Sequence, residues 1–310
     1  MAERLWLDRA RVALRETGPV GLARRSLRVA LLRVRDGADT AAKRLLHVEG
    51  RARLSAAELA AAARNVELKG RHAGRRAFVI GTGPSLNQTD LSKLSGEITY
   101  ACNSFMRHPV LELWQPRYYG WMDTGFFANP DLNIPFFEEV RRAVPAAEYF
   151  IPAAYMSYVQ EHGYLPMSRT YGVPMDGSSA DLPWNEIDLA FVPQTPNALQ
   201  FMLVVALYMG CSPVYLVGAD HDWLKNRRTP ETTRAGHWDG KNALELSAHH
   251  VKADYDDYQD LAAKTVQLWQ GYKEIARVAQ RRGQQILNAT PGSLLDVFPA
   301  VDYDSLFEPK

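Results

Sequence analysis

The chain has 310 residues, of which 46% are hydrophobic and 23% are charged, and its formal net charge at pH 7 is +1. These values are typical of a soluble globular protein and leave room for one large α/β domain with an appendage. The only two cysteines, Cys102 and Cys211, lie in apolar stretches. They exclude a disulfide framework and favour buried thiols in a reducing compartment.

No apolar run reaches the roughly 20 residues that a membrane span requires. Arginines interrupt the N-terminus too often for a signal peptide. We therefore expect a cytoplasmic protein.

Residues 1–70 carry an unusual positive charge, with 15 Lys/Arg against 8 Asp/Glu. Helical patterns cover 3–17, 20–35 and 39–65, and in the second of these Leu and Val recur near helical spacing with arginines between them. Such a basic amphipathic helix either lies on an anionic membrane surface or packs on its own domain. The first interpretation predicts peripheral membrane or membrane-enzyme contact through residues 1–40.

After a linker at 70–74, the pattern changes from Arg76 onward to short apolar runs that alternate with helical segments at 135–144, 196–210 and 255–282. The runs are continuous, as expected for strands that are covered on both faces. The predicted strands are 77–81, 98–103, 118–123, 189–193, 213–220 and 284–290. This alternation predicts an α/β fold with a doubly wound, mainly parallel sheet.

The sequence thus divides into a basic helical extension over 1–70 and an α/β domain over 71–310. Residues 152–188 and 222–250 lack clear periodicity and are rich in Pro, Gly, His, Trp and Tyr. Long irregular segments of this kind are usually functional. We expect a lid-like insertion at about 222–255.

The first predicted strand ends in Gly-Thr-Gly-Pro-Ser, residues 81–85. Ligands of open parallel sheets bind where strands end and helices begin, and free backbone N–H groups there favour phosphate. The motif is neither a Walker loop nor a full dinucleotide fingerprint. A plain strand–helix turn is the alternative interpretation.

Polar residues also follow other predicted strands, where they would converge on one edge of the sheet. Each taken singly is typical of a cap or a turn, but together they predict a site at that edge. These residues are Asn103, Asp123, Thr195 to Asn197, Asp220 to Asp222 and Asn288 to Gly292.

The order of motifs resembles bacterial family 42 sialyltransferases and the broader hydroxymethylpterin diphosphokinase-like group of capsule and flagellin loci. The resemblance covers about residues 64–308. It is carried by GTGPSL, a strand ending in Cys-Asn, TPNALQFMLVVALYMGCSPVYLVGADH, HHVKADY, ILNATPGSLLDVFP and VDYDSLF, in that order.

This resemblance implies a Rossmann-like nucleotide domain and an inverting glycosyltransferase of surface polysaccharide or glycoconjugate assembly. Its donor would be a CMP-activated sialic acid or related ulosonic acid, and its acceptor a glycan. The residues that it assigns to the nucleotide are Gly81, Thr82, Gly83, Pro84, Ser85, Asn103, Asp123, Thr195, Asn197, Tyr255 and Tyr258.

A histidine would act as the acceptor base, because its unperturbed pKa lies near neutrality. The resemblance favours His250, which precedes Tyr255 by five residues, followed by His249. His237 and His221 stay open as alternatives, and Asp220 would orient a histidine or cap a turn.

Asp220-His221-Asp222 also has the Asp-x-Asp form that binds a divalent ion in many glycosyltransferases. Because a CMP-sugar has only one phosphate, we expect metal-free transfer, with Mg²⁺ at Asp220 and Asp222 as the alternative.

Two other functions stay open. One is a pterin diphosphokinase that uses ATP and Mg²⁺, with Asp123, Asp220 and Asp222 as metal ligands, and the other is a nucleotide-binding scaffold without turnover. Nucleic-acid binding is not expected, because the α/β part is net acidic and has no basic-aromatic module.

Overall fold

The computed structural model describes residues 54–123, 127, 130–176, 186–193, 195, 197–222, 224 and 257–308. Within these residues, seven strands form one parallel sheet: β1 (Ala77–Ile80), β2 (Ile98–Cys102), β3 (Tyr118–Gly120), β4 (Glu148–Pro152), β5 (Thr170–Val173), β8 (Val214–Val217) and β9 (Ile286–Asn288). The described helices are α1 (Ala56–Asn65), α2 (Pro130–Ala143), α3 (Met156–Glu161), α4 (Ala198–Tyr208) and α5 (Tyr258–Arg281).

The strand order in the sheet is β5-β4-β3-β2-β1-β8-β9. The chain builds outward from β1 to β5 and then returns to the other side of β1, where β8 and β9 follow. Ala77 is therefore in register with Ile98 of β2 on one side and with Val214 of β8 on the other. This reversal at β1 makes a topological switch point, and ligands of such sheets bind outside the carboxyl ends of the strands beside it.

Apolar side chains cover both faces of the sheet, which is why its strands read as continuous apolar runs. Val79 points to a core shared with α4 and α5, whereas Phe78 and Ile80 point to a second core that includes α2. Every residue of α4 is buried. A helix that is apolar all round belongs inside a protein, and α4 packs against β1, β2 and β3.

The structure confirms the predicted α/β class and parallel sheet. One predicted strand, 189–193, is wrong in extent and place, because only β7 (Val192–Pro193) forms there. It pairs with β6 (Met175–Asp176) in a separate two-stranded sheet. Conversely, β5 lies inside the segment 152–188 that showed no periodicity. Its four residues, TYGV, are too few to display a pattern.

Helix α1 packs on the edge strand of the sheet through its last turn. The buried Asn65 side chain donates hydrogen bonds to the backbone carbonyls of Gly172 and Leu189, both at 2.9 Å. After it, the backbone N–H groups of Gly70 and Gly74 donate to Tyr208 and Gly210 at the end of α4. The residues just before the predicted boundary at 70 are thus attached to the α/β fold.

The division of the chain at residue 70 stays a prediction, because residues 1–53 lie outside the described part. The same holds for membrane contact through residues 1–40. Within the described residues, no helix is long and apolar enough to cross a membrane.

Replacing Asn65 with Ala should lower the free energy of unfolding by about 2–3 kcal/mol, because it leaves two buried carbonyls without their donors. Urea denaturation of the full chain measures this change. Gln270→Ala, which removes an exposed amide of α5, is the matched control and should change stability little. Equal stabilities of the two variants would contradict the role of Asn65.

Candidate functional site

The loop over residues 81–85 continues the pairing of β1 with β8 beyond the ends of both strands. The Gly81 and Gly83 N–H groups donate to the carbonyls of Val217 and Gly218, at 2.8 and 3.0 Å. A Cβ on Gly81 would lie 2.5 Å from the Gly218 oxygen, and one on Gly83 would lie 1.8 Å from Asp220 Oδ2. Close packing against the end of β8 therefore requires both glycines.

Asp220, after β8, is bonded to the last residue of this loop. Its Oδ1 accepts the Ser85 N–H at 2.9 Å, and its Oδ2 accepts the Ser85 hydroxyl at 2.7 Å. The pKa of the Asp220 carboxyl is raised, mainly because the group is buried and in smaller part because Asp222 is near. The two hydrogen bonds from Ser85 lower this pKa but do not reverse the change. Both oxygens of Asp220 are thus engaged inside the protein.

The predicted phosphate-binding role of the loop is at odds with these bonds. The N–H groups of Gly81, Gly83 and Ser85 all donate to protein acceptors, and Pro84 has no N–H. An anion-binding concavity needs several backbone N–H groups that point toward the ligand. In this conformation three of the loop's backbone N–H groups are thus directed at the protein itself.

The residues after β9 form hydrogen bonds with the residues after β8. Thr290 Oγ1 accepts the Ala219 N–H at 3.0 Å, and the Ser293 hydroxyl donates to the Ala219 carbonyl at 2.6 Å. The Leu294 N–H donates to the Asp220 carbonyl at 2.9 Å. The polar run after β9, which the sequence placed at the edge of the site, therefore holds Asp220 in place.

Asn103 follows β2, the strand beside β1, and its backbone lies in the left-handed region with φ of 50°. The Tyr119 hydroxyl donates to its carbonyl, and the same hydroxyl accepts the Met106 N–H at 2.9 Å. In the described part of the chain, no residue forms a hydrogen bond with the half-buried Asn103 amide side chain. This amide can offer both a donor and an acceptor to a ligand at the switch point.

Two other predicted nucleotide residues have structural partners instead. Asn197 is the N-cap of α4, and its Oδ1 accepts the Gln200 N–H at 2.8 Å. Thr195 is fully buried, and its hydroxyl lies 3.4 Å from the Met122 sulfur. Both residues position the start of α4.

His221 is buried beside Asp220, and its Nε2 lies 2.8 Å from the Tyr272 hydroxyl on α5. Burial lowers the pKa of His221 to about 4, so the ring is neutral at pH 7. The sequence did not indicate a role for Tyr272 or Tyr119 at the site, because in the sequence each is indistinguishable from the other apolar residues of its helix or strand.

The predicted base and its alternatives, His250, His249 and His237, lie outside the described residues, as do Tyr255 and most of the predicted lid at 222–255. Tyr258 begins α5, is half exposed, and donates to the Leu224 carbonyl at 3.2 Å. Asp123 follows β3 and is exposed. Within the described part of the chain, no group of three or more His, Cys, Asp or Glu residues is arranged to hold a metal ion.

No protein-family model matches the sequence, and no curated protein does. Among solved structures, the MAf glycosyltransferase of Magnetospirillum magneticum AMB-1 matches with 13% identity and a TM-score of 0.46. The match covers 76% of this chain but only 35% of the MAf protein, so this chain spans about a third of the length of that protein.

The sialyltransferase CstII of Campylobacter jejuni, solved with the substrate analogue CMP-3FNeuAc, matches with 11% identity and a TM-score of 0.40, over 73% of this chain and 86% of the other. The sialyltransferase CST-II in complex with a trisaccharide acceptor and CMP matches with 12% identity and the same TM-score of 0.40 over the same shares. Likenesses this distant decide neither the activity nor the ligand of this chain.

Replacing Ser85 with Ala and Asp220 with Asn, singly and together, should reveal a coupling of about 1–3 kcal/mol between the two side chains, because their contact is shielded from water. Urea denaturation of the four proteins measures it. The control is the exposed pair Ser92 and Asp90, in which the serine N–H and hydroxyl also donate to an aspartate, both to its Oδ1. A coupling near zero for Ser85 and Asp220 would contradict the interpretation of this contact.

Proposed function

We propose that the chain is an inverting glycosyltransferase that transfers a sialic acid or related ulosonic acid from a CMP-activated donor to a glycan acceptor. The observation that carries this proposal is the Asn103 amide at the carboxyl edge of β2. It lies beside the loop over 81–85, at the switch point where parallel sheets bind nucleotides. The order of motifs along the sequence supplies the donor class.

Asn103 suits the cytidine part of the donor better than the phosphate. An uncharged amide pairs with the hydroxyl groups of a ribose or with the donor and acceptor edge of a base. Because most N–H groups of the 81–85 loop are engaged, stabilisation of the leaving phosphate falls to other residues. The sequence offers Tyr255 and Tyr258 for this task, and Tyr258 begins α5.

Transfer from a CMP-sugar needs a base for the acceptor hydroxyl, stabilisation of the departing phosphate, and an in-line arrangement of donor and acceptor. We assign the base to His250. His221 suits that role poorly, because it is buried and its Nε2 is bonded to Tyr272.

The pterin diphosphokinase alternative would use Asp220 as a metal ligand. Both oxygens of Asp220 accept a hydrogen bond from Ser85, which leaves fewer of their lone pairs for a metal. No observation at the site favours that alternative. The donor's single phosphate is consistent with metal-free transfer, which is part of this proposal.

CMP should raise the Tm of the full chain, and Asn103→Gly, which removes the amide but tolerates the left-handed backbone, should remove most of that rise, because the amide binds the nucleoside. Thermal-shift measurements with CMP, UDP, GDP and ATP, each with and without Mg²⁺, test this expectation. Gln88→Ala, which removes an exposed amide near the same loop, is the matched control. Stabilisation by ATP with Mg²⁺ and not by CMP would instead support the kinase.

Replacing His250 with Ala should lower kcat by a factor of about 10²–10⁴ and leave CMP affinity nearly unchanged, because a base acts mainly in the transition state. His249→Ala is the matched control and should have a milder effect. Both variants are assayed in EDTA with a CMP-sialic acid donor. Full activity of His250→Ala would refute the assignment of the base, and loss of wild-type activity in EDTA would refute metal-free transfer.

A further inference from the structure

His221 has a backbone conformation that few residues other than glycine adopt. Its φ is 51°, in the left-handed region, and it directly follows Asp220 at the end of β8. A non-glycine residue in this region is uncommon and persists where the surrounding contacts favour it. The contacts of the imidazole ring supply the reason at this position.

The His221 ring is bonded to α5 through one of its nitrogens. Nε2 lies 2.8 Å from the Tyr272 hydroxyl. Burial is the main cause that lowers the pKa of the ring, and a hydrogen bond with the Ala219 backbone acts in the opposite direction.

The connection continues across α5 to the start of α4. Tyr272 is fully buried, and a side-chain hydrogen bond from Asn197 partly offsets the effect of burial, which raises the pKa of its hydroxyl. Asn197 in turn accepts the Gln200 N–H. The contact between His221 and Tyr272 thus joins α5 to the end of β8, and the adjacent Asp220 holds Ser85 of the loop.

We propose that His221 and Tyr272 are positioning residues of the candidate site, which fix Asp220 against Ser85 and thereby set the shape of the 81–85 loop. The structural part of this inference stands on the contacts above. Its consequence for ligand binding rests on the proposed function, since CMP is the probe.

Tyr272→Phe tests the structural part without any ligand. The variant removes only the hydroxyl group that is bonded to His221 Nε2. Because this bond would no longer hold the loop, hydrogen exchange of the segment 82–90, which contains the Ser85 N–H, should accelerate about tenfold. Exchange of the segment 118–122, around β3, should stay unchanged. Hydrogen–deuterium exchange of the full chain, followed by mass spectrometry of its peptides, measures both segments.

Tyr149→Phe is the matched control, because it also removes a buried tyrosine hydroxyl that is bonded inside the protein, to the Val144 carbonyl at 2.6 Å. It lies on β4, away from the loop, and should not change exchange in 82–90. His221→Asn is a second variant. Asparagine tolerates the left-handed region, but it is too short to replace Nε2 at Tyr272. It should reproduce the effect of Tyr272→Phe.

Acceleration confined to 82–90 in both Tyr272→Phe and His221→Asn supports the proposal. Unchanged exchange there, or the same acceleration in Tyr149→Phe, would overturn it.

A CMP titration separates the two claims. If hydrogen exchange of 82–90 accelerates in the variant and its CMP affinity falls about tenfold, both the positioning role and its consequence for ligand binding are supported. If the loop loosens but the wild-type chain binds no CMP, the positioning role stands and the proposed function fails. If the loop loosens while CMP affinity is unchanged, the inference that loop shape governs ligand binding is wrong.

Discussion

The contact between Asp220 and Ser85 is the constraint on which the carboxyl edge of the sheet depends. It joins the loop after β1 to the end of β8, the two strands that meet at the switch point. A carboxylate that accepts both a backbone N–H and a hydroxyl is held more firmly than one with a single partner. The Leu294 N–H also donates to the Asp220 carbonyl, and the adjacent His221 contacts Tyr272 of α5, so four parts of the fold meet around this residue.

The sequence predicted the architecture well where the signal was long or repeated. Continuous apolar runs separated by helical segments defined the parallel sheet, and the all-apolar α4 stood out against its surroundings. The prediction of strands failed for β5 and for 189–193, because a strand of two to four residues is too short to show a hydrophobic periodicity. The pairing of β6 with β7 depends on contacts distant in sequence, which no local pattern encodes.

The sequence predicted polar residues after several strands, but it did not indicate what each of these residues contacts. Gly81 and Gly83 suggested room for a phosphate, whereas the space that they leave is filled by Gly218 and Asp220. A glycine signals close approach without saying what approaches. The side-chain amides of Asn103 and Asn197 looked equivalent in the sequence. Only the three-dimensional contacts distinguish an amide that caps a helix from one that no described residue engages.

The left-handed backbone at Asn103 restricts which residues this position accepts. Glycine, asparagine and aspartate tolerate that conformation best, so most substitutions would disturb the turn before they changed any chemistry. Aspartate is the exception that matters, since it keeps the shape of the side chain and exchanges an amide donor for a negative charge. Because asparagine and aspartate codons differ by one base, a single mutational step is enough to change the charge at this edge of the sheet while the fold stays intact.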